Sequence, residues 1–200
     1  MKHVNYYLAA SMKKLSRKQE IINVASKLFK EKGYSAVTMR VIAKSMGIKA
    51  ASLYNHINSK QEILTYIIIS LAEEFTQGMS SIKLSNKNSI EKLKQIVSLH
   101  INITINNTNG MASLNNDWMH LKDQKDYYLT LRVNYENSFR NIINKGIKKK
   151  EIINLNPDIM LFSILSTLRS LYLWIPKKED LDPNELATSL SNVLLNGINR

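Results

Sequence analysis

Arg40, Lys44, Lys49, Tyr54, His56 and Lys60 place cations, an aromatic ring and hydrogen-bonding groups at short intervals in a 200-residue chain. Such a series can grip phosphate oxygens and reach base edges. A second set, His100, Trp118, Tyr135, Phe139, Arg169 and Tyr172, interrupts stripes that are otherwise apolar. Groups so placed can line a largely apolar cavity, with His100 or Arg169 fixing a polar or acidic head group. The alternatives are a histidine satisfied within the core and an arginine that forms a salt bridge across a dimer. Enzyme chemistry finds little support. The absence of cysteine removes thiolate zinc sites, cysteine nucleophiles and disulfides together. There is no glycine-rich phosphate loop, no His-Glu-x-x-His pair and no serine in a strained elbow. His100, His120, Asp117 and Asp123 have the chemistry of metal ligands, but their spacing does not put three on one helical face. No catalytic residue, metal or cofactor is expected.

The formal charge of +12 is informative through its location. Residues 1–60 hold 12 Lys and Arg against Glu20 and Glu31, a net of +10, and the remaining residues are nearly neutral. Concentrated like charge repels itself unless a polyanion offsets it, so this third is expected to meet phosphate; the alternative is a solvated basic surface. No uninterrupted apolar run approaches the ~20 residues that span a bilayer, and the opening MKHVNYYLAASMKK lacks the apolar stretch of a secretion signal. A cytoplasmic protein without a membrane partner is expected.

The elements that must position these residues are helices. Apolar residues recur with helical period almost throughout, and sustained two-residue alternation is missing, which predicts an all-α fold of about nine helices. The first follows Ser16, buries Ile21, Ile22, Ala25, Leu28 and Phe29, and stops at Gly33. A short helix from Thr38 turns Met39, Ile42, Ala43 and Met46 inward and ends at Gly47. Another short segment carries Leu53, Tyr54 and Ile57. Ser59 can cap a long helix with the stripe Ile63, Leu64, Ile67, Ile68, Leu71 and Phe75, expected to break near Gly78 and the polar residues 80–88. Further helices carry Ile90 to His100, then Met111, Leu114, Trp118 and Leu121, with Asn106, Asn107, Asn109 and Gly110 as the turn between them. Tyr128, Leu131, Tyr135, Phe139, Ile142 and Ile143 share one face of the next. Asn156-Pro157 opens a helix apolar almost all round, and Asp182-Pro183-Asn184-Glu185 opens the last, with Leu186, Leu190, Val193, Leu194 and Ile198 aligned.

Two short helices joined by a turn at Gly47 set the second at a steep angle, the geometry that lets a recognition helix enter the major groove. Phe29, Gly33-Tyr34, Thr38-Met39-Arg40, Ile42-Ala43, Gly47-Ile48, Ser52-Leu53-Tyr54-Asn55-His56, Ser59-Lys60 and Glu62-Ile63-Leu64 together resemble the DNA-binding domain of TetR-type repressors. The resemblance covers about residues 16–66. It implies that Thr38, Tyr54 and Lys60 contact backbone phosphate and that residues 49–56 form the recognition helix. Arg40, Lys49, Ala50, Ala51, Ser52, Asn55 and His56 complete the expected DNA-binding set. Departures fall where bases are read: Lys49, Ala50 and Ala51 replace a common Ser-Lys-Gly run, and Val41 replaces an acidic residue that would cap the helix reciprocally.

The expected organisation is a basic arm or start-site artefact over 1–15, a helix-turn-helix over 16–60, and a ligand-binding and dimerisation domain over 61–200. The resemblance implies that the last two helices form a four-helix bundle between subunits. An all-round apolar helix supports this, because it must be covered on every side. Ile164, Leu168, Leu171, Leu190, Val193 and Leu194 are the expected interface; a central helix of a monomer is the alternative. The segment from His100 to Tyr135, with Trp174 and the closing Leu-Leu-Asn-Gly-Ile, also resembles regulators that respond to fatty or steroidal CoA thioesters, with Lys83, Lys87, Lys122 and Lys125 as candidate basic residues at a pocket mouth. The function implied is a ligand-responsive regulator that binds a palindromic double-stranded DNA operator as a homodimer and is released by a small lipophilic effector. A nonspecific architectural DNA-binding protein is the alternative.

Overall fold

A computed structural model describes residues 15–196. All but the last residue of the arm expected over 1–15, and the alignment of Ile198, lie outside the described residues. Among the described residues the chain is all-α: α1 Arg17–Lys32, α2 Met39–Ser45, α3 Ala50–Tyr54, α4 Lys60–Leu84, α5 Ser89–Asn106, α6 Thr108–Asn116, α7 Lys125–Lys148, α8 Pro157–Trp174 and α9 Pro183–Asn196.

Local chemistry sets most of the boundaries. The Ser16, Thr38 and Ser59 hydroxyls accept from the backbone N–H groups of Gln19, Val41 and Glu62, each satisfying a donor that a helix start leaves unpaired. Gly33 and Gly47 end their segments at φ 79° and 66°, where a side chain would strain the backbone. Asn156 caps α8 with Pro157 in its first position. Asp182 accepts from the amides of Asn184 and Glu185 at the start of α9.

Three expectations are corrected. α4 does not break at Gly78 but runs on to Leu84 and buries Met79 and Ile82. Gly78 is a packing residue: a Cβ there would lie 2.6 Å from Leu99 Cδ1 on α5. The turn between α5 and α6 is one residue, Asn107, which ends one helix and caps the next, so Asn109 and Gly110 are helical. Trp118 lies beyond α6 in a single 3-10 turn with Met119 and His120. A signal was also missed: Asn88, within the polar stretch, forms a reciprocal capping box with Glu91 and starts α5.

The apolar core is continuous from Ile21 on α1 to Leu195 on α9. α4 forms its axis and packs on α1, α5, α6 and α7, while α6 lies against α1, α4 and α8. The stretch Pro157–Lys177, interrupted by Asp158 and Arg169, is long and apolar enough to cross a membrane by length and composition. Here its inner face, from Met160 to Tyr172, joins the core and it packs on α5, α6 and α7.

Candidate functional site

The first part of the site is built by α2 and α3. Gly47 reverses the chain, the Ile48 amide donates to the Ala43 carbonyl at 3.1 Å, and Leu53 and Ile57 anchor the second segment in the core. What remains outside is Thr38, Arg40, Lys44, Lys49, Ala51, Ser52, Tyr54, Asn55 and His56, all exposed, with Ala50 half-buried. Lys49 precedes α3 as a cap residue without a side-chain cap bond, so α3 is shorter than residues 49–56. Asn55 ends the helix, and the His56 amide donates to the Leu53 carbonyl in the turn that follows. Val41 leaves Thr38 with half of a capping box, the Val41 amide donating to its hydroxyl at 3.3 Å.

Glu62 locks this unit to its neighbours. Its carboxylate accepts from the Lys18 ammonium on α1 and from the Asn58 amide, both at 2.8 Å. Those bonds, that of Lys18 first, hold its pKa below the usual carboxylate range. Lys60, expected to face phosphate, turns inward: its ammonium donates to the Tyr34 carbonyl at 2.8 Å and sits 4.0 Å from the centre of the Tyr34 ring. Tyr34 stacks on His120 with ring centres 5.2 Å apart, and its hydroxyl donates to Gln61, whose amide donates to the His120 carbonyl. The loop after α1 is thereby stapled to the turn after α6. Beneath this staple Asp117 is buried, and burial raises its carboxyl pKa, opposed by the nearby His120 and Lys60 charges.

The same α6 walls an apolar cavity of about 60 Å³ through Met111, Leu114 and Asn115. Opposite stand Phe75 on α4, His100 on α5, Tyr128, Leu131, Arg132 and Tyr135 on α7, and Leu165 and Arg169 on α8. His100 Nε2 and the Tyr135 hydroxyl are 2.9 Å apart, while His100 Nδ1 has no hydrogen-bond partner. Burial, and secondarily the Arg169 charge, lowers the His100 pKa to about 3, so the ring is neutral at physiological pH. Arg169 donates to Glu136 at 2.7 Å and Arg132 reaches the same oxygen at 3.2 Å, so the carboxylate partner of Arg169 lies within its own subunit.

Of the six residues expected in a pocket, His100, Tyr135 and Arg169 line this cavity. Phe139 lies deeper in the core, one turn beyond Tyr135. Trp118 packs outside it, on Tyr128 and beneath the Arg132 guanidinium. Tyr172 is buried, and its hydroxyl bonds to Asn116 rather than to the cavity. Sequence reasoning missed Arg132 in the cavity wall and Glu136 as the partner of Arg132 and Arg169. The four-residue spacing of Arg132 and Glu136 was a readable sign of their pairing.

α8 divides its apolar surface. Ile164 and Leu168, expected at an interface, are 2% and 0% exposed and sealed in the subunit's own core. Leu171 is buried too, but helps to floor a 500 Å³ groove with Ser166, Ser170, Trp174, Leu186 and Leu190. Beside it Phe162 and Val193 are 70% and 75% exposed, and Leu194 is half-buried.

An exposed helix-turn-helix at one end of α4 and a small apolar cavity against its flank, in one chain, are the architecture of a DNA-binding transcriptional regulator. Residues 21–67 match the profile described as bacterial regulatory proteins, tetR family, and residues 86–198 that of the tetracyclin repressor-like C-terminal domain. The chain belongs to the TetR family, whose members are typically repressors. It is 26% identical over 191 residues to the uncharacterized HTH-type transcriptional regulator YvaF of Bacillus subtilis, covering 90% of this chain and 94% of YvaF. The fold superposes on the ketosteroid transcriptional regulator KstR2 of Mycobacterium tuberculosis with a TM-score of 0.87 at 21% identity, covering 92% of this chain and 96% of KstR2. AibR, solved in complex with isovaleryl coenzyme A and operator DNA, superposes with a TM-score of 0.75 at 19% identity, covering 89% of this chain and 97% of AibR.

Proposed function

We propose that the protein is a repressor that binds a palindromic operator as a homodimer and is released by a small, largely apolar effector seated in the cavity beside His100. The observation that carries this reading is the shared use of α6, which walls the cavity with Met111, Leu114 and Asn115 and continues into the Asp117–His120 segment stapled to Tyr34 and Gln61. An effector that enlarges the cavity displaces α6 and, through Tyr34, the helix-turn-helix.

In the dimer, α8 and α9 of each subunit cover the groove around Leu171, Trp174, Leu186 and Leu190, together with Phe162, Val193 and Leu194. Two recognition segments then enter successive major grooves, whose half-sites lie about 34–36 Å apart, so a small change in their separation loosens binding. Thr38, Arg40, Lys49 and Tyr54 contact phosphate; Ala50, Ala51, Ser52, Asn55 and His56 face the bases. Lys60 reaches phosphate only after it leaves the Tyr34 carbonyl.

The cavity suits a short acyl group of a few carbon atoms, whereas a steroid nucleus requires its walls to move. An acyl-CoA-like molecule is the proposed class, supported by the isovaleryl coenzyme A held by AibR. A gel-shift titration on the DNA flanking the gene tests the reading. Bands that shift with palindromic fragments and are released by butyryl-CoA, isovaleryl-CoA or apolar acids are the expected result. Equal binding to any duplex would favour an architectural role driven by the basic N-terminal third.

A further inference from the structure

Three concave regions share walls along the seam between α4 and α7. Tyr135 lines both the aromatic cavity and a neighbouring groove of 320 Å³. Lys83, Ser138 and Asn141 line both that groove and a basin of 450 Å³ beyond it. Tyr135 is the partition at the first junction, held by its bond to His100 Nε2.

The chemistry changes in one direction. Around the cavity most of the walls are apolar or aromatic, with Phe75, Met111, Leu131 and Tyr135 beside the polar Asn115, Arg132 and Arg169. The groove presents Thr76, Ser80, Asn134, Asn137, Ser138 and Asn141, hydroxyls and amides that can bond to a polar linker. The basin gathers Lys83, Lys87, Lys92, Lys145, Lys148 and Lys149. None of these lysines forms an ion pair among the described residues, and the nearby carboxylate of Glu151 is taken up by the Ser89 amide at 2.8 Å.

Lysines in the last turns of α4 and α7 complement the helix dipoles there. Lys92 on α5 serves the same end, its ammonium donating to the Lys83 carbonyl in the last turn of α4, which leaves Lys87 in the following loop without such a role. Six cations around one depression raise the local positive potential, which favours an anion of high charge. The pattern is regular as well: residues 134, 138, 141, 145 and 148 recur at helical spacing on one face of α7. From Tyr135 to Lys148 that face runs about 20 Å, the order of length of an extended pantetheine diphosphate arm.

We propose that the seam is a single elongated ligand site and that the lysine basin is its phosphate subsite, taking the phosphates of an acyl coenzyme A. The acyl group occupies the cavity, the amide-bearing arm lies along the asparagine and hydroxyl groove, and the phosphorylated nucleotide meets the lysines. This assignment rests on the effector reading above. It adds that affinity comes largely from a surface remote from both the acyl group and the DNA. The basin sits at the far end of α4, about 36 Å from the helix-turn-helix at 1.5 Å per residue.

Titration calorimetry on the full-length dimer tests it, with butyryl-CoA, S-butyrylpantetheine (which lacks every phosphate) and 3′-phosphoadenosine 5′-diphosphate as probes. The proteins are wild type, Lys145→Ala/Lys148→Ala, Lys87→Ala/Lys92→Ala, and Leu165→Trp to fill the cavity. Butyryl-CoA is expected to bind wild type, and each lysine pair to weaken it about tenfold or more. The lysine variants are expected to bind S-butyrylpantetheine as wild type does and to retain operator affinity. The nucleotide diphosphate is expected to bind weakly and to compete. Lysine variants that bind butyryl-CoA normally, while Leu165→Trp does not, would overturn the phosphate subsite and leave the effector reading intact. Loss of operator binding in those variants would overturn it in favour of a DNA contact. Failure of both thioesters to bind wild type would also overturn it, and the wider effector reading would then be judged by whether any apolar acid releases the operator.

Discussion

His100 shows how one side chain ties the cavity to stability. Unfolded, its imidazole takes up a proton as pH falls through its ordinary 6.5; folded, it stays neutral until about 3. In that interval the unfolded chain binds more protons, so the contribution is full above pH 6.5 and is lost as pH falls toward 3. Urea denaturation between pH 7 and about 5, above the range where unperturbed carboxylates titrate, is expected to show a falling midpoint, and His100→Leu to flatten that fall. An unchanged slope in the variant would contradict the assignment. On the DNA side, Lys49→Ala is expected to weaken all operators similarly and to reduce the salt slope by about one. Thr38→Ala should lose the proposed phosphate contact and also about 1 kcal/mol of helix-cap stability; thermal melts and gel shifts separate the two effects.

Elements were legible where their signals are local. Ser16, Thr38 and Ser59 cap their helices as read, because a cap needs only a side chain and an amide three residues on. Gly47 is such a case: at φ 66° an added side chain strains the turn. Gly47→Ala is expected to cost about 1–2 kcal/mol and to reduce operator affinity further by tilting α3. Equal melting temperature and affinity would refute it. Gly78 misled because the same residue type serves two purposes, and what distinguishes them is Leu99 on another helix. The cavity was half legible for the same reason. His100 and Tyr135 stand out as polar interruptions of apolar stripes, but whether Phe139 or Phe75 reaches the cavity depends on how α4, α5 and α7 cross. Lys60 shows the same limit. Its spacing marks it as a phosphate ligand, whereas the fold supplies the Tyr34 carbonyl as a closer partner.

At the scale of the whole molecule, one face remains uncovered by the subunit itself: Phe162 and Val193 project beside the groove lined by Trp174, Leu186 and Leu190. Phe162→Glu with Val193→Glu is expected to yield a folded monomer in analytical ultracentrifugation, with operator affinity lowered by a hundredfold or more because each half-site then binds alone. A double variant that sediments as wild type would place the dimer elsewhere. The central claim is that a two-fold protein reads two half-sites and lets go when its cavity fills. Quantitative footprinting on the DNA flanking the gene, with and without butyryl-CoA, tests it most directly. The account predicts a symmetric protected site, half-site centres about 34–36 Å apart, that disappears as the thioester is added; protection that ignores sequence, fades only with salt and does not respond to any effector would contradict it.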